Sequence, residues 1–152
     1  YVRPQSHFVD IETLKDVTLA ELHYVIGNIV RSERYGAISS RIGKIKNTIV
    51  AVAFSDCELF SNLELTQEVY DRLKPEDKAE LPFPLADDNV EKAVVASVDK
   101  LISGVFSQKP VILTGEKLKA ELDGVAELYY EQENLIATLR ALTDSYPSYS
   151  RK

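Results

Sequence analysis

Hydrophobic positions change their period several times along this chain, and the changes mark out the elements. The stretch His7 to Val17 opens His7-Phe8-Val9-Asp10-Ile11-Glu12-Thr13-Leu14, an apolar and polar alternation that predicts a half-buried strand. Thr18-Leu19-Ala20-Glu21 follows as a capping box. It predicts a helix to about Ser32, with Leu19, Leu22, Ile26 and Ile29 at helical spacing toward the core. After a polar interval, Thr48 to Phe54 is β-rich and apolar on both faces, the pattern of a central strand.

Ser61-Asn62-Leu63-Glu64 is a second capping box, opening a helix through Val69 and Leu73 that Pro75 stops. Residues 75–88 hold three prolines and six charges and read as a connecting loop. A third helix starts at Asp88, with Val94, Val95, Val98, Leu101 and Ile102 apolar and Gly104 placed as its stop. Beyond Pro110-Val111-Ile112-Leu113, Thr114 is positioned to cap a long final helix to about Leu142, striped by Leu118, Leu122, Val125, Tyr129, Ile136 and Leu139. The tail from Asp144 is expected to be loose.

The order is strand, helix, polar loop, strand, then helices, which makes the fold class α/β, of the α+β kind, with a helical C-terminal part. Residues 1–74 form the β-α-β half, 75–88 the connection, and 89–152 the helical part of the same domain. Such a half has few strands to stand alone, so partner strands are expected from elsewhere.

Composition narrows the class. With 152 residues, 45% of them hydrophobic, one domain can bury a core, at this size roughly 70% of the surface its unfolded chain exposes. The longest apolar run, Ile49 to Phe54, is far short of the roughly 20 residues that a membrane span requires. Nothing resembles a secretion signal, and membranes are not expected as partners. The single cysteine, Cys57, leaves no internal disulfide and no cysteine zinc site, which fits a reducing cytoplasm.

Charge is the feature that singles out one region. The chain carries −6 overall, yet Arg31 to Asn47 holds five Lys or Arg against one acid. Within it, Arg34 to Asn47 reads RYGAISSRIGKIKN. Gly36 and Gly43 permit close approach to the backbone. Arg34, Arg41, Lys44 and Lys46 supply charge for phosphates, Ser39, Ser40 and Asn47 supply neutral hydrogen bonds, and Tyr35 offers a stacking face. That is the inventory of a nucleic-acid backbone site, although an ordinary solvated loop has the same composition. It lacks the Gly-Lys-Ser/Thr ending of a P-loop and the three spaced glycines of a dinucleotide fingerprint.

The run from His23 through Gln67 carries a resemblance. Its markers are Arg34-Tyr35-Gly36, Ser40-Arg41-Ile42-Gly43, Lys46-Asn47 and Phe60-Ser61-Asn62-Leu63-Glu64-Leu65-Thr66-Gln67. Together they resemble the C-terminal half of the Cas-seven backbone subunit of the type I-D CRISPR Cascade. The resemblance implies a partial RNA-recognition-motif, ferredoxin-like core and subunits assembled side by side along a guide RNA. It also implies target DNA and other Cascade subunits as partners, and no catalysis, metal or cofactor. Arg34, Tyr35, Gly36, Ser39, Ser40, Arg41, Gly43, Lys44, Lys46 and Asn47 inherit guide binding. Family members are about twice as long, and the first strands, a large insertion and a cysteine cluster fall in an upstream half that is not in this sequence.

Two rivals come from other classes. Asp56 with His7 or His23 would suit a guide-complex endoribonuclease, although two histidines sixteen residues apart make no motif. Asp56, Cys57 and Glu58 follow the β-rich run and are too few for a metal site, and Cys57 has no adjacent base to activate it. The amphipathic helices between Asp87 and Asp144 could instead dock a neighbour, making the chain a helical interaction module with an incidental basic loop.

Overall fold

A computed structural model describes residues 2–35, 43–76, 80–103, 110–130 and 132–145. They form five helices and a two-stranded antiparallel sheet, an α+β fold with a helical C-terminal part. The elements are α1 (Leu19–Arg31), β1 (Ala51–Phe54), α2 (Asn62–Leu73), α3 (Asp87–Ser103), β2 (Val111–Thr114), α4 (Gly115–Tyr130) and α5 (Gln132–Ser145). They divide into two compact units, one of residues 1–13 and 50–115, the other of residues 14–49 and 116–152.

The first unit contains β1, α2, α3 and β2. Both halves of the Ser61 capping box form: the Glu64 amide donates to Ser61 Oγ at 3.2 Å, and the Ser61 amide donates to Glu64 Oε2 at 2.7 Å. That second bond holds the Glu64 carboxyl below the usual carboxylate range. From this start α2 buries Leu65 and Val69 against Val90, Ala93, Val94, Val98 and Ile102 of α3. Helix α3 opens at Asp87, one residue before the predicted cap, with the Ala86 carbonyl accepting from Asn89 and Val90. Ser97, fully buried on α3, donates to the Ala93 carbonyl at 2.7 Å and so brings no unpaired hydroxyl into the core.

Two strand expectations need correction here. The alternation in His7 to Val17 places Val9 and Ile11 on the core, but the segment forms no strand. Period-two burial satisfies a face, whereas a ladder also needs a partner backbone. Side chains tether this segment instead, with Asn62 Nδ2 donating to Asp10 Oδ1 at 2.6 Å. Strand β1, predicted as central and buried, is shorter than Thr48 to Phe54 and pairs with β2 alone among the described residues. Its last two residues are exposed, Phe54 by 46%. The β2 run itself was legible only as a short apolar stretch before a helix.

The second unit contains α1, α4 and α5. The Thr18 box closes as predicted, Thr18 N donating to Glu21 Oε2 at 2.7 Å and Glu21 N to Thr18 Oγ1 at 3.3 Å. Ile26 and Gly27 are buried on α1, while Leu19, expected in the core, is exposed because it occupies the first helical position. The long final helix is two helices, with Thr114 in β2 rather than at a cap and Gly115 turning the chain at a φ of +56°. Buried Leu118 and Val125 share one face of α4. The apolar stripe lapses over the polar run 131–134, and α5 restarts it. The predicted stop at Gly104 lies outside the described residues.

Candidate nucleic-acid interface

Everything placed at the basic segment is anchored on the C-terminus of α1. Ser32 leaves helical geometry at φ −73° and ψ 115°, and its amide donates back to the Asn28 and Ile29 carbonyls. A helix end of this polarity presents unpaired carbonyls and about half a negative charge, which opposes an anion. Two features offset that. Arg31 lies in the last turn, where a cation is favourable. Asn47 sends its side-chain amide to the Ile29 and Ser32 carbonyls, both at 2.7 Å, and to the Tyr35 hydroxyl at 3.2 Å.

Asn47 therefore joins the two ends of the segment. A backbone bond from the Ile45 amide to the Glu33 carbonyl at 2.8 Å runs alongside. Gly43, at a φ of +76°, takes the backbone through a conformation that favours glycine, just before Lys44. Lys44 Nζ stands 3.6 Å from Glu33 Oε2, with both side chains largely in solvent. Between the two ends an open cleft of about 300 Å³ is lined by Val30, Ser32, Glu33, Lys44, Ile45, Lys46 and Asn47.

Of the ten residues expected to touch a guide, the described ones are Arg34, Tyr35, Gly43, Lys44, Lys46 and Asn47. Arg34, Tyr35, Gly43, Lys44 and Lys46 are exposed and belong to no helix or strand, in keeping with a surface loop. Gly36, Ser39, Ser40 and Arg41 lie outside the described residues. Asn47 is half-buried, and its side-chain amide bonds to the Ile29 and Ser32 carbonyls, so it braces the base of the loop. Glu33 escaped the sequence reading altogether. Its signal was present, as the single acid among five cations.

The residues of the rival constellation are placed as follows within their own units. His7 Nε2 is 2.9 Å from Asp87 Oδ1, at the start of α3. His23 lies half-buried on α1, while Asp56 and Glu58 are exposed beyond β1. Cys57 is exposed, its amide bonded to Ser55 Oγ at 3.3 Å. Among the described residues no group of three or more His, Cys, Asp or Glu is gathered as a metal site, and no helix is long and apolar enough to cross a membrane.

The Csc2 Crispr family model matches residues 1–139, which span both units and the whole basic segment. The chain belongs to the Csc2 CRISPR family. It is thereby a CRISPR effector subunit of the Cas-seven-like kind, and CRISPR-based antiviral defence is its setting. No curated protein matches the chain.

Proposed function

We propose that this Csc2 chain is the C-terminal half of a type I-D Cascade backbone subunit. In this reading it grips guide RNA by its phosphates, lies beside further copies of itself and other Cascade subunits, and presents the guide for pairing with target DNA in the cytoplasm. Sequence selection then comes from base pairing, while the protein reads backbone and shape. Its role is binding, without catalysis. Among the described residues β1 and β2 pair only with each other, and their outer edges are where further strands of an RNA-recognition-motif-like sheet would pair.

The observation that supports this most is the root of the basic segment. Asn47 neutralises the carbonyls that would repel a phosphate, and Arg34, Tyr35, Lys44 and Lys46 are presented to solvent around them. An incidental charged loop would need no such fixed base.

A salt titration of guide binding tests the reading. Arg34, Arg41, Lys44 and Lys46, each neutralising a phosphate, would contribute roughly −3 to the log-log salt slope of a single strand, at about −0.7 per phosphate. Arg41→Ala with Lys44→Ala should weaken every RNA by a similar factor and shallow the slope by about 1.4. Tyr35→Ala should cost roughly 1 to 3 kcal/mol of binding with the slope unchanged, if its ring stacks on a base. Unchanged affinity and slope in the double variant would assign the segment to plain surface. Guide cleavage that disappears in Asp56→Asn would put the endoribonuclease in its place.

A further inference from the structure

The acid in the cleft has a consequence of its own. Glu33 and Lys44 face each other across the root of the basic segment, their charged atoms 3.6 Å apart and the side chains 65% and 74% exposed. The pair is tied in register by the backbone bond from the Ile45 amide to the Glu33 carbonyl, independently of either charged group. A pair this exposed contributes little to stability, so fold maintenance is a poor reason for its presence. Its carboxylate nevertheless stands close enough to Lys44 to compete with an incoming phosphate for that charge, at a cleft that Lys46 also lines.

We propose that Glu33 is a specificity-determining residue, an internal counter-ion that competes with phosphate for Lys44. This rests on the RNA-binding reading above and deepens it. Exchanging one anion for another at Lys44 gains almost nothing, so a mononucleotide or a free phosphate has little advantage over the resident carboxylate. A polynucleotide already held by neighbouring cations delivers the next phosphate at high effective concentration and releases counter-ions along its length. The chemical class selected is therefore a single-stranded polyphosphate backbone, discriminated against small phosphates.

The test compares the wild-type intact subunit with Glu33→Gln, Lys44→Ala and the double variant. The probes are an oligouridylate and uridine monophosphate, titrated against salt. Gln keeps the length of the side chain and leaves the Glu33 backbone bond in place, and circular dichroism checks the fold. Glu33→Gln should raise oligouridylate affinity about fivefold at low salt, the worth of one unit charge at short range in water. It should leave the salt slope nearly unchanged, because Lys44 contacts one phosphate in both proteins and only the competition from Glu33 is removed. The relative gain for uridine monophosphate should be larger, so discrimination narrows. In the Lys44→Ala background the gain should vanish. If Lys44→Ala weakens RNA while Glu33→Gln changes nothing, or if the gain persists undiminished without Lys44, the counter-ion role is overturned and the RNA-binding reading stands. Should neither Lys44→Ala nor the double variant alter oligouridylate binding, it is the RNA-binding reading at this loop that falls, and the inference with it.

Discussion

The two compact units are held together by different means, and the contrast explains what each can tolerate. In the first, seven buried side chains of α2 and α3 share a core, and Val9, Ile11, Val50, Leu59, Phe60, Leu73, Leu85, Leu101 and Ile112 pack around it. Such a core is redundant: losing one contact leaves the others. In the second, the root of the basic segment hangs on few polar bonds, and a single amide, that of Asn47, reaches α1 and Tyr35 at once. Beside that hub stands the Ile45 to Glu33 backbone bond. The lesson is that a loss in the core is felt by its whole unit, while a loss at the root stays local to the candidate interface.

The largest expected effect comes from attacking the redundant side. Leu65 is 3% exposed between α2 and α3, so Leu65→Ala should cost about 3 kcal/mol, as transfer and cavity terms add in a closed core. Urea denaturation measures it, and guide affinity of the folded fraction should not change. A cost under about 1 kcal/mol would mean that the core collapses around the gap and is looser than its burial suggests. A smaller and more local effect is expected of Asn47→Ala. It strips the Ile29 and Ser32 carbonyls of a partly buried partner, at about 1 to 2 kcal/mol. Hydrogen exchange should accelerate at the Ile45 amide, whose bond to Glu33 closes the root, while amides of α2 and α3 hold. Equal acceleration in both places would erase the distinction between hub and core.

Legibility in the sequence follows the same line. Both capping boxes announced themselves because their chemistry is local: a hydroxyl and a carboxylate three residues apart make bonds to each other's backbone whatever surrounds them. The α3 stripe was legible because Val94, Val98 and Ile102 recur at helical spacing over successive turns. Partners far along the chain were not. Val9 and Ile11 showed the right face but not the missing ladder, and Val111 to Thr114 showed no sign that Ala51 to Phe54 would pair with it. At the candidate site the cations stood out by count, whereas Glu33 and the anchoring of Asn47 depend on the chain folding back by roughly a dozen residues or more. Composition names the groups a site contains. Only the return of the chain says which of them are already spoken for.

The smallest effect concerns a place where the apolar side of the comparison also depends on charge. Glu68, its side chain 15% exposed on α2, receives Lys100 of α3 at 2.7 and 2.9 Å and Arg72 Nε at 3.0 Å. The Lys100 bonds above all hold its carboxyl below the ordinary carboxylate range, against a smaller opposing push from partial burial. A carboxyl whose pKa is lower in the folded than in the unfolded chain binds protons more readily when unfolded. Its contribution is therefore complete above the ordinary carboxylate pKa and is lost as pH falls through the depressed folded value. Glu68→Gln should then lower stability slightly at neutral pH, and the gap between variant and parent should close on acidification. Because Lys100 is 62% exposed, solvent and salt screen the pair, and high salt should narrow the same gap at neutral pH. Guide affinity should be unaffected, since neither α2 nor α3 contributes to the basic segment. A gap that widens toward acid would reverse the sign of the linkage and show that the Lys100 contact is not what joins these two helices.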